Sequence, residues 1–237
     1  VTGQFRVDQE LLAQARARLS GRASLFWVLG GAGAGKSTVC AYLSAKYDIP
    51  VYRMDDYIYG EYHGKFLPAR HPANYAWSTA PDPLAWLLNL AWEEFDAFNR
   101  AALPEYLDLF AEELVCAQDA PLLVDGGLCN PVLLVQAVPA SQVVCLAMPT
   151  LTSEAIWESS QARRAMKEMI YQRPDGERLW QTFLGFDREI TNTLLRESKM
   201  CGIHVCARRA TEPVADFAER VAQTLGIGTA RPPISAL

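Results

Sequence analysis

One run of residues carries the sharpest chemical signal in the chain: Gly30-Gly31-Ala32-Gly33-Ala34-Gly35-Lys36-Ser37-Thr38 fits the spacing G-x-x-x-x-G-K-[ST]. Glycines at these places let successive backbone N–H groups converge on phosphate oxygens. The helix start at Lys36 adds its positive dipole end, Lys36 bridges the outer phosphates, and the Ser37 hydroxyl can hold magnesium. The motif requires a strand before it and a helix after it. Ser24–Leu29 is apolar on both faces and Lys36–Lys46 reads as a helix, so both flanks are present. A chance match in a glycine-rich turn would have neither. The run is therefore read as a phosphate-binding loop.

Missing motifs narrow the class. The chain has no N-K-x-D for reading guanine and no L-S-G-G-Q, and at 237 residues it is too short for a second ATPase region. What is left is a small kinase-like fold. Here the sequence resembles the P-loop kinases of small molecules and nucleotides, the group that includes uridine kinase, shikimate kinase and chloramphenicol phosphotransferase. The resemblance covers most of the chain in element order, with the phosphate loop as its specific motif. It implies ATP and Mg2+, and transfer of the γ-phosphate to a hydroxyl of a small acceptor. Two alternatives stay open: a nucleoside or nucleotide kinase proper, and a regulatory module that binds ATP without transferring phosphate.

The resemblance also assigns residues. The second strand ends Arg53-Met54-Asp55-Asp56-Tyr57, and Asp55 matches the uridine kinase pattern of strand, Asp, small residue, aromatic. A carboxylate there would accept the hydroxyl proton and orient the attack, with Asp56 as the alternative base and a turn or helix cap as the competing reading. In Leu122-Leu123-Val124-Asp125-Gly126-Gly127, Asp125 would hold magnesium, while Gly126 and Gly127 would allow a close backbone approach to the acceptor. An ordinary Asp-Gly turn is the competing reading. After the fourth strand a lid is expected over 161–178, carrying Arg163, Arg164, Lys167, Arg173 and Arg178. Arg164 is read there as a phosphate contact, and Arg173, in the turn Arg173-Pro174-Asp175-Gly176, as the arginine that offsets charge in the transition state. A solvated helix face opposite Glu154, Glu158 and Glu168 explains the same charges. The arginine spacing of nucleoside monophosphate kinases is absent, which argues against a monophosphate acceptor. Arg208 or Arg209 would stack on adenine, with Thr211 as a helix cap.

Those side chains need a scaffold. Continuous apolar runs at Ser24–Leu29, Ile49–Met54, Pro121–Val124, Gln142–Ala147 and Gly202–Ala207 suit the buried strands of a parallel sheet. Helical spacing marks Asp8–Leu19, Lys36–Lys46, Pro83–Phe98, Pro104–Cys116, Ser153–Tyr171, Glu177–Lys199 and Pro213–Leu225, with 230–237 as a loose tail. The expected fold is a three-layer α/β/α P-loop domain, α/β in class, with a five-stranded parallel sheet spanning 1–237. The long connection at 56–118 is read as a helical substrate insertion. Of its aromatics, Tyr57, Tyr59 and His63 lie nearest the catalytic edge, whereas Trp86, Trp92, Phe95 and Phe98 read as helix packing.

Composition sets the remaining bounds. Half the residues are hydrophobic, 21% are charged and the net charge is −5, the balance of a globular protein. A dispersed acidic surface argues against nucleic-acid or anionic-membrane partners. No apolar run is long enough for a membrane span. Six cysteines without a C-x-x-C and three scattered histidines point to reduced thiols in a cytoplasmic protein rather than to zinc. Nothing in the sequence decides between a monomer and a homodimer.

Overall fold

The computed structural model describes residues 5–115, 120–127 and 130–228. Five strands form one sheet, β1 (Leu25–Gly30), β2 (Val51–Arg53), β3 (Leu122–Asp125), β4 (Val143–Ala147) and β5 (His204–Ala207), in the order β2-β3-β1-β4-β5. Every neighbouring pair is parallel. The helices are α1 (Gln9–Leu19), α2 (Lys36–Tyr47), α3 (Met54–Tyr59), α4 (Pro72–Ser78), α5 (Pro83–Leu88), α6 (Trp92–Val115), α7 (Pro131–Ala137), α8 (Ser153–Glu158), α9 (Gln161–Tyr171), α10 (Gly176–Met200) and α11 (Val214–Leu225).

The strands are apolar on both faces because both faces are covered. Along β1, Leu25, Trp27 and Leu29 enter one core with residues of α1, α6 and α7 and with Leu194 of α10. Val28 points the other way, into a second core with Val39, Cys40 and Leu43 of α2 and Phe217 and Val221 of α11. Alternate side chains of one strand thus seal opposite layers, the outcome expected of a parallel sheet. A third, smaller cluster lies away from the sheet and joins Leu88 and Phe95 of the insertion to Ile170 of α9 and Trp180 and Phe186 of α10. Cys40, Cys145, Cys201 and Cys206 are free thiols. Cys116 and Cys129 lie outside the described residues, as does the tail expected over 230–237.

Several expected boundaries move. The strand expected over Ile49–Met54 shortens to β2, and Met54 opens α3. The helices expected at Pro83–Phe98 and Pro104–Cys116 regroup as α5 and the long α6, which runs through Pro104. Proline in a helix interior costs roughly 3 kcal/mol. Here Ala101, Ala102, Leu103, Tyr106 and Leu107 on either side of it are all buried, and their packing holds both halves in line. The helix expected over Ser153–Tyr171 divides at 159–160, where Ser160 turns extended and its hydroxyl accepts from the Arg163 N–H to cap α9. The N-cap position of α11 falls on Pro213, not Thr211, and no side chain caps the helix there.

Within the insertion, the segment around Arg70–Asn74 is tied to α6 by polar groups. Asp108, whose side chain is fully buried, accepts from Arg70 Nε (2.6 Å) and Nη2 (2.8 Å). His71 Nδ1 accepts from the Leu67 N–H, so Nε2 is the nitrogen that donates to Asp108 Oδ2, at 3.2 Å. Glu105, 2% exposed, accepts from the Ala73 and Asn74 N–H groups and from the Asn74 amide. Burial alone would raise the Asp108 carboxyl, but the hydrogen bonds from His71 and Arg70 and the Arg70 charge outweigh it and hold the group at about 2, below its ordinary 3.8. A depressed folded-state pKa means that this stabilisation is complete above pH ~4 and is lost as the pH falls through ~2. Asp108→Asn is therefore expected to lower the unfolding free energy at pH 7 by about 1–3 kcal/mol, the cost of weakening a buried charged acceptor, while Arg70 keeps Glu112 at 3.1 Å. Urea denaturation checks this, and between pH 4 and 2 the variant should lose less stability than the parent.

Candidate functional site

The phosphate loop leaves β1 and enters α2 through Gly35, whose left-handed φ of 89° serves as the helix N-cap. No side chain caps the helix there, so the N–H groups of its first turn are left to a ligand. Lys36 Nζ folds back over the loop and donates to the carbonyls of Gly30 (2.8 Å) and Gly31 (3.2 Å). Ser37 and Thr38 are exposed. Two later elements press on the loop: a Cβ at Gly31 would overlap Thr191 of α10, and one at Gly33 would stand 2.9 Å from Ile156 of α8.

Strand register brings the acids to this loop. Asp125 pairs with Val28 of β1 on one side and with Arg53 of β2 on the other, which sets the ends of β1, β3 and β2 side by side. Asp125 is 6% exposed, and its Oδ1 is buried with no hydrogen-bond partner. A hard cation or its water shell would supply that partner, so Asp125 and the Ser37 hydroxyl fit a magnesium ion held mainly by phosphate oxygens. Among the described residues no cluster of three or more His, Cys, Asp or Glu could hold a metal without such help.

Asp55 sits in the first turn of α3. A Cβ at Gly126 would lie 3.2 Å from both Asp55 Oδ2 and Lys36 Cε, which measures how closely carboxylate, ammonium stem and backbone converge. Asp55 is exposed and opens onto a cavity, with protein atoms crowding its carboxyl from the other sides. The water those atoms displace raises its pKa; Lys36 opposes the rise, and Asp125 and then Asp56 add to it. Because α3 is helical, Asp55 and Tyr59 share one face. Both line the cavity of about 310 Å³ over the phosphate loop, together with Lys36, Gly126, Gly127 and Asn74. Of the three residues between them, Ile58 also lines this cavity and the other two do not. Asp56 is exposed outside the cavity walls, and Tyr57 stacks on Tyr52 with ring centroids 3.9 Å apart. The expectation that Asp56 and Tyr57 reach an acceptor is thus not matched by their placement.

A second cavity of about 630 Å³ adjoins the first, shares Asp55, Tyr59 and Trp77 with it, and extends under the insertion to Asp82, Trp157, Arg173, Phe183 and Asp187. His63 is among its walls. Trp86 packs on Phe5 and Phe98, and Trp92 on Phe95 and Phe186, as helix packing requires. A third space, about 380 Å³, flanks the loop on the opposite side of α10 between Ala32, Met148, Thr152, Arg188 and Asn192.

The expected lid cations are engaged elsewhere. Arg163 donates to the Ile156 carbonyl, Arg164 to the Glu158 carbonyl, and Lys167 pairs with Glu158 at 2.6 Å. Arg178 donates to Asn89. Arg173 makes a two-pronged pair with Asp82, at 2.6 and 3.1 Å, and so borders the large cavity without touching the loop. Asp82 also caps α5 through the Ala85 N–H, and Arg173 followed by that backbone bond pulls its pKa down. Arg208 closes on its own turn through the Glu212 carbonyl, at 3.1 and 2.9 Å.

Some wall residues were not picked out from sequence: Asn74, Tyr106, Trp157, Phe183, Asp187 and Ile190. Asp187 had left a signal, an acid within the apolar stripe of α10 marked by Trp180, Leu184 and Leu194. Tyr106 carries none, because its role is to donate to the Gly127 carbonyl across the fold (3.4 Å).

Sheet order, loop and helix start together define a three-layer α/β/α P-loop fold of the kinase-like kind. No family model and no curated protein matches the chain. Among solved structures it is similar to TT1252 from Thermus thermophilus, with 20% identity over 86% of this chain and 97% of the other and a TM-score of 0.49. It is also similar to shikimate kinase from Acinetobacter baumannii in complex with shikimate, with 18% identity over 92% and 99% and a TM-score of 0.46. Similarity at this level carries nothing about the chemistry of this chain.

Gly127, at φ 78°, tests the convergence, because a Cβ there would overlap Met54 Cγ and lie 2.6 Å from its Cβ, at the residue that opens α3. Gly127→Ala is expected to cost about 1–3 kcal/mol through strain and overpacking. Gly126→Ala, with 3.2 Å contacts to movable side-chain ends, should cost less, and urea unfolding of the two variants gives the ranking.

Proposed function

We propose that this chain is an ATP-dependent phosphotransferase that moves the γ-phosphate to a hydroxyl of a small-molecule acceptor. One observation carries the reading: Asp55 and Lys36 meet at Gly126 on the floor of one cavity, so a carboxylate faces the place where a lysine would hold the outer phosphates. Magnesium and ATP, when bound, supply the electrophilic phosphorus and screen its oxygens. The chain supplies the rest. The N–H groups at the start of α2 and the Lys36 ammonium grip the phosphates, while Ser37 and Asp125 face the cation. Asp55 orients the acceptor hydroxyl and takes its proton as the new O–P bond forms and the bond to the ADP oxygen breaks. A carboxyl raised by desolvation is a better base than an ordinary one, provided it is ionised.

In this reading the domain spans 1–237, the insertion at 56–118 forms the acceptor site, and the segment 161–178 is the lid. Closure would exclude water and bring Arg173 or Arg164 toward the phosphates. The space between Ala32 and Asn192 takes the nucleotide side, and Arg208 lies on the loop read as facing the base. No helix among the described residues is long and apolar enough to cross a membrane. Free, mostly buried thiols support a cytoplasmic setting.

Asp55→Asn should leave ATP affinity near parental and lower kcat by about 10²- to 10⁴-fold, the usual loss for a positioned base. Lys36→Ala should instead weaken ATP binding. If ATP binds tightly and no acceptor in a panel of hydroxylated compounds stimulates its turnover, the chain is a binding module and the proposal fails. The acid limb of kcat/KM reports Asp55, so it should lie above the ordinary carboxylate range. Asp56 raises Asp55, so Asp56→Asn should move that limb to lower pH.

A further inference from the structure

The larger cavity has three buried polar atoms without hydrogen-bond partners in its walls: Asp187 Oδ2 and the indole nitrogens of Trp77 and Trp157. Asp187 is 9% exposed and Trp77 4%. A buried polar group without a partner costs free energy, and a buried carboxylate costs the most. Apolar side chains make up much of the rest of the wall, chiefly Leu87, Phe95, Phe183 and Phe186. Such a chamber of apolar walls with a few placed polar groups, about 630 Å³ in all, has the form of a small-molecule site.

Charge decides which molecule suits it. Three carboxylates border the two cavities, Asp55, Asp82 and Asp187, and the cationic side chains facing them are spoken for. Arg173 is held by Asp82, and Lys36 lies on the loop carbonyls. Among the described residues, no cationic side chain pairs with Asp187. A hydroxyl would satisfy its hydrogen bond and leave its charge uncompensated, whereas an ammonium group satisfies both.

We infer that the acceptor is an amphipathic amino alcohol, its hydroxyl at Asp55, its apolar body against the phenylalanines and its ammonium group on Asp187, with indole N–H groups for any acceptor atoms it carries. The inference rests on the reading of Asp55 as the base and narrows it to a substrate class. Hydroxy acids and phosphate monoesters are disfavoured, because they would bring an anion beside Asp187.

A matched series tests this on the full chain: phenylalaninol and tryptophanol, their N-acetyl derivatives, and the hydroxy acids phenyllactate and indolelactate. Binding is read by tryptophan fluorescence and phosphoryl transfer by ADP release, each with Mg-ATP. The amino alcohols should bind about 10- to 100-fold more tightly than either neutral or acidic counterparts, the span of one charge-assisted hydrogen bond. Asp187→Asn should abolish that preference and leave affinity for the N-acetyl compounds within about threefold, the context scatter of a single contact. The comparison within the parent protein needs no variant, so a misfolded Asp187→Asn does not spoil the test. Equal or tighter binding of the hydroxy acids, binding of none of the series, or an amine preference that persists in folded Asp187→Asn overturns the inference. Phosphorylation of a hydroxy acid would sink the inference and keep the proposed transfer; amine-selective, Asp187-dependent binding without ADP release would keep the pocket assignment and sink the transfer.

Discussion

One ammonium group and two carboxylates, those of Lys36, Asp55 and Asp125, lie close enough to shift one another's charge, and much of the fold serves to keep them there. Lys36 lowers the pKa of Asp55, and Asp125 raises it. Three strand ends and one helix start must converge for these groups to feel one another. Register does this: β3 lies between β1 and β2, so Asp125 stands beside the end of each. Without the lysine the two acids would repel across a poorly solvated gap. With it they can share a site that awaits further positive charge.

The acceptor side is built differently, from packing rather than from backbone register. Cluster Leu88–Phe95–Ile170–Trp180–Phe186 joins the insertion to α9 and α10 away from the sheet. The Asp82–Arg173 pair closes the same seam with a two-pronged ion pair. The large cavity lies inside this seam. Its walls come from segments far apart in sequence, and α10 borders it with Asp187 while touching the phosphate loop with Thr191, one turn further on. One helix therefore bears on both proposed substrates.

How much of this could be read in advance follows from the range of each interaction. The phosphate loop, Asp125 with Gly126 and Gly127, and the five strands are local patterns with fixed geometry, so the sheet appears within a few residues of its expected place. Asp55 is expected at the end of the second strand, but its setting is helical, because β2 stops at Arg53 and Met54 opens α3. Helical spacing gives one segment ending at Phe98 and another opening at Pro104, whereas one helix runs through both, held by buried neighbours on either side of the proline. The lid cations are the hardest case. Charges such as Arg163 and Arg164 look alike in sequence whether they meet a phosphate or a neighbouring carbonyl, and only three-dimensional placement tells them apart. Asp187 and Trp157 belong to the cavity only through tertiary contact.

The strand order has a consequence for the birth of the molecule. β1 carries the phosphate loop at its end, yet both its neighbours come late: Leu25 pairs with Leu122, and Gly30 with Leu146. As the chain leaves the ribosome, β1, α2, β2 and the whole insertion emerge before β1 has a partner on either edge. Non-local pairing of this kind slows folding and leaves apolar strands exposed for longer. The loop can acquire its working shape only after the second half of the protein has arrived, so a nascent chain halted before β4 would display the motif without the rigid cradle that gives it meaning.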